Sequence, residues 1–364
     1  MKRLELLILI FSVSACHIFK NAKSKRTEEA TLADAHTESA AVEAKEIVRP
    51  DNSTCLAWAT VAEAPSALSK TGCFEAKDTR QPVTGLLPYF VRLSFWSDGA
   101  DKRRWFALPN GMQVTWDAKG QAQFPVGSVL IKEFSWQGKR IETRLFLHHA
   151  QEGWVGYTYE WNEAETDAML VAPEGKTIEV GALAWDFPTT KGCARCHSEA
   201  AGPPLGWDPI QINTELPQVG GMNQIAYFQK MGVIPANLPI DLAKLPRIKT
   251  GSDASDEEKA RAYLHVNCAV CHRPGGQAIG DMDLRLSASF EALKVCDVVP
   301  LIDDLGLADA RLIKPKNPEA SVLLQRMMRS DYSRMPPLAS HRVDEEGVTL
   351  IRAWINSIPD CNRP

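Results

Sequence analysis

Two pentapeptides of this chain place two cysteines and a histidine in the same order and at the same spacing. They are Cys-Ala-Arg-Cys-His at residues 193–197 and Cys-Ala-Val-Cys-His at residues 268–272. With nine cysteines and eight histidines in 364 residues, chance predicts roughly 0.005 such pentapeptides. Each motif brings two thiols and an imidazole within five residues. A metal or cofactor bound by these groups would therefore constrain how the chain folds around it.

This spacing is used for covalent haem attachment, in which two thiols form thioether bonds to the haem vinyl groups and the adjacent histidine ligates iron. We therefore expect two covalently attached haem c groups. The residues expected to bind them are Cys193, Cys196, His197, Cys268, Cys271 and His272. Two alternatives are a zinc half-site, which usually needs a second ligand pair on a matched loop, and a thioredoxin-like redox pair, which has no need of the histidine.

The N-terminus has the features of an export signal. Two basic residues precede an apolar run over residues 4–13, and small residues lead to Cys16. Residues 1–15 match a signal peptide and are too short to span a bilayer as a mature helix. The segment resembles the lipobox of bacterial lipoproteins, which implies that Cys16 carries lipid and anchors a periplasm-facing protein in the membrane. Because His17 rather than Asp follows, the resemblance implies the outer membrane. The alternative is an ordinary signal cut that leaves Cys16 as a free thiol.

Four cysteines remain after lipidation and haem attachment, namely Cys55, Cys73, Cys296 and Cys361. An even remainder in an exported protein suggests two disulfides, for which three pairings exist. Proximity along the chain favours Cys55 with Cys73, which leaves Cys296 with Cys361.

Composition excludes one class of partner. The net charge of −4 comes with no basic stripe, so we expect no binding to nucleic acid. Residues 16–50 are rich in Ala, Glu, Thr and Lys and poor in aromatic residues, which is typical of a flexible tether. No later apolar run approaches the length of a transmembrane helix.

Residues 51–190 are predicted to form an antiparallel β-rich domain. Apolar and polar residues alternate over residues 141–149, and strand-like runs at 129–136 and 154–161 are separated from it by glycine-containing turns. Three such runs predict a meander. Residues 191–250 carry the first motif with little regular pattern, so we expect this segment to pack on the β domain.

The last hundred residues predict helices. Ser255 with Glu258 forms a capping box that opens a helix leading into the second motif. Pro318 after Asn317 predicts a second helix start, and Asp344 caps a final helix with apolar residues at helical spacing.

This order of helix, motif, long loop, helix, methionine loop and helix resembles a class I cytochrome c over residues 253–361. The resemblance implies an all-α domain in which Met335, 63 residues after His272, is the second axial ligand of that iron. Met282 lies too close to His272 along the chain for an easy approach from the opposite haem face. Met327 and Met328 are more simply explained as helix-core residues.

The whole mature chain is also similar to bacterial dihaem cytochromes that combine a β-rich part with a terminal cytochrome c domain. The expected fold class is therefore α+β, with an antiparallel β-rich N-terminal domain followed by an all-α class I cytochrome c domain. Related modules can be joined to PQQ-dependent dehydrogenase-like propellers, which implies a dehydrogenase or another cytochrome as redox partner.

The second axial ligand of the first haem is less constrained by the sequence. His149 ends the apolar face of its strand and is our candidate, because a bond to iron would explain why an imidazole is buried there. A histidine satisfied by a backbone carbonyl or water is the alternative, and His148, Met222 and Met231 are rival ligands.

Two functional classes follow from these residues. The favoured one is an electron-transfer protein that passes single electrons between a periplasmic donor and a downstream acceptor, with no catalytic residues of its own. The alternative is a dihaem enzyme, such as a peroxidase, with an open coordination position at the first haem. A weaker third class is a haem-based sensor that binds a ligand in the β domain.

Overall fold

The computed structural model describes residues 47–238, 245–248, 252–338 and 340–362. The expected signal peptide, the expected lipidation site Cys16 and most of the expected tether lie outside these residues. Within them, no helix is both long enough and apolar enough to cross a membrane.

One antiparallel sheet of six strands organises the first half of the described chain, in the order β10-β9-β8-β7-β4-β3. Short two-stranded pairs accompany it. The strands are β1 Phe74–Glu75, β2 Asp78–Pro82, β3 Leu87–Pro88, β4 Asp101–Ala107, β5 Thr115–Trp116, β6 Ala122–Gln123, β7 Val129–Trp136, β8 Lys139–His149, β9 Gly153–Trp161, β10 Ala168–Leu170, β11 Lys176–Val180, β12 Leu183–Phe187, β13 Glu215–Leu216 and β14 Met222–Asn223.

The centre of this sheet is the predicted meander. Strands β7, β8 and β9 pair in sequence, with Leu145 opposite Ile131 and Tyr157. Because successive side chains of a strand point to opposite faces, Leu145, Leu147 and His149 share one face, and Arg144 and Phe146 lie on the other.

The two faces of the sheet have different cores. The face of Leu145 covers a core that contains the Cys55–Cys73 disulfide and Tyr159. On the opposite face, an apolar half around Phe106 packs against Trp207 and Phe228. The other half of that face is polar and lines the site described below.

The C-terminal part of the described chain contains helices joined by long loops. The described residues form six α-helices: α1 Thr190–Cys196, α2 Pro209–Ile212, α3 Gln224–Lys230, α4 Asp256–Asn267, α5 Val322–Met327 and α6 Glu345–Ser357. The capping box of Ser255 and Glu258 at α4 is present, and Asp344 accepts a hydrogen bond from an amide of the first turn of α6. Asn317 caps a 3-10 turn just before α5, so the predicted second helix is shorter than expected.

Helices α4 and α6 pack closely against each other. A Cβ atom at Gly347 of α6 would lie 2.4 Å from the Tyr263 hydroxyl oxygen on α4, so only glycine fits there. The Cys296–Cys361 disulfide fixes the end of the chain to this region. Both disulfides are the ones favoured by proximity along the chain, and the mixed antiparallel β and helical character is confirmed.

Polar contacts join the sheet to the helical part. Asp98, buried beside β4, accepts hydrogen bonds from the backbone amides of His341 and Arg342 at 2.7 and 2.8 Å. Trp96 donates its backbone amide to Asn267 Oδ1 at the end of α4. These contacts position the two sequence motifs relative to each other.

Candidate functional site

The first motif lies against the sheet. Thr189 caps α1 by accepting a hydrogen bond from Gly192 N, and α1 contains both cysteines. A Cβ atom at Gly156 of β9 would lie 3.3 Å from Cys193 Sγ, so this glycine lets the thiol approach the strand. The ring of His197 packs 4.2 Å, centroid to centroid, from Phe146 on the same sheet face.

His197 is held in one orientation. Its Nδ1 lies 2.6 Å from the carbonyl oxygen of Pro203, in the glycine-proline loop after the motif. A carbonyl can only accept, so Nδ1 carries the proton and donates it, and Nε2 keeps its lone pair. Burial lowers the pKa of His197 to about 4. The imidazole is therefore neutral at pH 7, as a metal ligand must be.

The second motif follows α4 directly. The amide of Leu284 donates a hydrogen bond to the His272 carbonyl oxygen at 2.9 Å, which folds the following loop back onto the motif. His272 Nδ1 is buried and has no hydrogen-bond partner among the described residues. Burial lowers the pKa of this imidazole too, so it is also neutral and ready to bind a metal.

The four motif thiols are free of disulfides. Burial raises the pKa of each, that of Cys268 to about 12. A thioredoxin-like pair depends on a lowered thiol pKa, so these protonated thiols do not fit that alternative. Nor do three or more His, Cys, Asp or Glu side chains cluster to hold a metal ion anywhere in the described chain, which leaves the zinc alternative without a ligand set.

The regions of the two motifs contact each other, although 70 residues lie between His197 and Cys268. Arg273 Nη1 donates to the Ala200 carbonyl at 3.1 Å, and Gln277 Nε2 donates to the Ala194 carbonyl at 3.4 Å. The thiols of Cys196 and Cys271 are close enough that Cys271 raises the pKa of Cys196. Nothing in the separate sequence segments indicated this contact.

A cavity of about 1430 Å³ lies between the polar half of the sheet face, α1 and the end of α4. It is larger than the about 300–1,000 Å³ of ordinary small-molecule sites, and Cys193, Cys196 and His197 line it. Two thiols and a neutral imidazole at the wall of a large cavity fit a covalently held haem. At the second motif, the partnerless Nδ1 of His272 beside free thiols is compatible with the same group.

The cavity wall on the sheet is cationic. Arg104, Lys132 and Arg144 come from β4, β7 and β8 and line the cavity. Burial, with the charges of Arg104 and Arg144, lowers the pKa of Lys132 to about 7.

Met335 is half-buried in the loop before α6. Its amide donates to the Arg326 carbonyl at 3.0 Å, and it lines a small cavity of about 10 Å³ together with Tyr263 and Trp96. Tyr263 lies on α4, five residues before Cys268, so the methionine loop reaches the helix that carries the second motif.

The structure does not bring His149 to the first motif. His149 is 2% exposed, and its Nε2 lies 2.9 Å from the Tyr157 hydroxyl within the core on the Leu145 face. His197 packs on Phe146, which is on the opposite face of the same sheet. The expectation that His149 faces the first motif is therefore corrected, because the motif docks on the other side.

Other histidines and methionines are accounted for differently. His265 Nδ1 accepts a hydrogen bond from Leu286 N and its Nε2 lies 3.0 Å from Asp208 Oδ2, so both nitrogens are engaged. His148 is on the same face as His197 and stacks on Trp154. Met231 lies in the apolar core around Trp207, and Met222 is half-buried in β14.

Comparisons of the chain with protein-family models, with curated proteins and with solved structures found no match.

Proposed function

We propose that this protein is an exported dihaem c-type cytochrome that carries single electrons between a periplasmic donor and a downstream acceptor. The thiols of Cys193 and Cys196 and of Cys268 and Cys271 would attach the two haems. His197 and His272 would be the first axial ligands. Haem iron supplies the reversible one-electron chemistry.

The observation that carries the proposal is the direct contact of the two motifs. Two side chains of the second motif region, Arg273 and Gln277, donate hydrogen bonds to backbone carbonyls at Ala200 and Ala194. Two redox groups attached at touching points of one chain can exchange electrons without a mobile carrier. A pair of unrelated binding sites would have no need of this contact.

We propose further that residues 253–361 form a class I cytochrome c-like domain, in which Met335 would bind the iron of the second haem together with His272. The capped α4 leads into the motif, α6 crosses α4 with glycine at the contact, and Met335 lines a cavity beside Tyr263 of α4. A histidine–methionine pair fills both axial positions and raises the reduction potential, which suits electron transfer over catalysis.

An exposed apolar patch next to the second motif supports docking of a redox partner. Ile279, Val299, Leu301 and Ile302 are 62–77% exposed, and a Cβ atom at Gly280 would lie 3.5 Å from Leu301 Cδ1, so the two loops adjoin. Asp281, beside Ile279, carries a mostly exposed carboxylate that lies 3.8 Å from Lys294 Nζ. We infer a protein partner with an apolar centre, since exposed apolar patches mark interaction sites.

A direct test of the proposal is haem counting. The chain, expressed with a haem-attachment system, should gain the mass of two haems, and acid–acetone should leave the colour on the polypeptide. Cys196→Ala and Cys271→Ala should each prevent complete two-point attachment at one haem, whereas the control Cys361→Ser should keep both haems attached. Extractable haem in the parent, or a single adduct, would refute the proposal.

Docking at the apolar patch is tested separately. Leu301→Ser should slow electron exchange with a lysine-rich cytochrome c used as probe and leave both reduction potentials unchanged. The control Val126→Ser, at an exposed valine of the β part, should have no effect. Equal rates of electron exchange for Leu301→Ser and Val126→Ser would show that the partner does not dock on the apolar patch.

One observation favours the dihaem enzyme as a second candidate. Among the described residues that line the large cavity there is no methionine, and the histidines are His197 and His265. Both His265 nitrogens are engaged, so the lining provides no free imidazole or thioether as a second axial ligand. An EPR spectrum of the oxidised protein distinguishes the two: only low-spin signals support the carrier, whereas a high-spin signal with peroxide turnover supports the enzyme.

A further inference from the structure

Three cations form a row across neighbouring strands on the cavity wall. Arg104 of β4 lies directly opposite Lys132 of β7, and Lys132 lies directly opposite Arg144 of β8. Like charges at directly opposed positions of a sheet destabilise it. A row of three, facing a cavity, therefore needs an opposing charge.

Among the described residues, a carboxylate partner is present for only one member of the row. Arg144 forms an ion pair with the buried carboxylate of Glu142 through Nε and Nη2. Arg104 donates to the Ser94 hydroxyl at 2.8 Å, and Lys132 Nζ lies 5.9 Å from the centre of the Phe134 ring. Within the part of the chain that the structure describes, neither Arg104 nor Lys132 has a carboxylate partner.

The rest of the cavity lining has the same sign. Six further lysine and arginine side chains line it against four carboxylates, although the whole chain has a net charge of −4. The cavity is therefore built for a negatively charged group.

We propose that Arg104, Lys132 and Arg144 form a carboxylate-binding site on the wall of this cavity. The guanidinium fork matches the two oxygens of a carboxylate, and the amine supplies a further donor and charge. Two sources offer this chemistry: the propionates of a haem held by the first motif, which rests on the function proposed above, or a free carboxylate ion that enters the cavity.

The test compares Lys132→Gln and Arg104→Gln with Lys139→Gln, which removes the same charge at an exposed position of the same sheet. Each holoprotein is titrated potentiometrically, and acetate binding is measured by calorimetry. Both row variants remove a half-buried charge that has no carboxylate partner among the described residues, so neither should prevent the chain from folding.

If propionates occupy the site, both row variants should lower one of the two reduction potentials, because a lost positive charge favours oxidised iron, and acetate should not bind. If a free carboxylate occupies it, acetate should bind the parent and lose about tenfold or more in affinity in both row variants. Either result supports the site. Row variants that match Lys139→Gln in both measurements overturn it. A protein without haem would refute the proposed function and leave the acetate measurement as the test of the site.

Discussion

The contact between α4 and α6 makes a prediction about Gly347. A methyl group at this position would lie 2.4–2.6 Å from three atoms of Tyr263, namely the hydroxyl oxygen, Cζ and Cε2. Tyr263 is 4% exposed and donates its hydroxyl to Asp344 Oδ2 at 2.9 Å, so the ring cannot move without breaking that bond. Gly347→Ala should therefore separate the two helices or displace the tyrosine.

Three effects set the magnitude. Overpacking a buried contact costs about 1–3 kcal/mol, and weakening a hydrogen bond to a carboxylate costs about 1.5–3 kcal/mol. Alanine is favoured over glycine in a helix interior by about 1 kcal/mol. The free energy of unfolding should fall by about 1.5–5 kcal/mol, although the substitution raises the helix propensity of α6.

Chemical denaturation of the holoprotein measures this difference. Thr349→Ala, at an exposed position of the same helix, is the control and should stay within about 0.5 kcal/mol of the parent. In Tyr263→Ala the obstacle is gone, so adding Gly347→Ala should cost much less than it does alone. If Gly347→Ala is as stable as Thr349→Ala, the helices do not approach in this way.

Four further predictions follow. Met335→Ala should open a carbon monoxide site at one haem and Met335→His should lower its potential; unchanged spectra and potentials would remove Met335 as ligand. His149→Leu should lower the free energy of unfolding by about 1–3 kcal/mol and leave the haem spectra unchanged. A change in the haem spectra would show instead that His149 is a ligand of one of the irons. The hydrogen bonds from Arg285 hold the pKa of Asp283 below its usual 3.8, so this carboxylate stabilises the fold above pH 3.8 and the effect fades as pH falls through the folded value. Asp283→Asn should accordingly melt earlier than the parent at pH 6, with the gap closing towards pH 2. Cys16→Ala should move the protein from the membrane fraction to the soluble fraction with its haem content unchanged, and membrane retention would refute lipid anchoring.

The features predictable from the sequence are those set by neighbouring residues. The alternation of residues 141–149 predicts the strand and its buried face, and Ser255 with Glu258 predicts the start of α4 because a capping box involves only four residues. Proximity along the chain likewise favoured the pairing of Cys55 with Cys73. None of these features depends on where distant segments dock.

The placement of His149 shows where such reasoning ends. Alternation correctly predicted that His149 is buried, but it cannot say on which side of the sheet a separate segment will pack. The first motif docks where Gly156 leaves space for Cys193 Sγ, which is on the Phe146 face. Gly156, which has no side chain, was the sequence feature that could have indicated this docking face. Its location on that face follows only when the register of β8 and β9 is known.

The cavity shows the same dependence on distant segments and has a consequence for function. Its walls come from the sheet, from the first motif and from the end of α4, so none of these segments forms the cavity alone. Asp98 and Trp96 hold the sheet to the helical part through hydrogen bonds that do not involve either motif. In the proposed dihaem protein, loss of these bonds should leave the attachment residues in place but loosen the junction between the sheet and the end of α4. Electron exchange between the two centres should therefore depend on this junction in addition to the attachment residues.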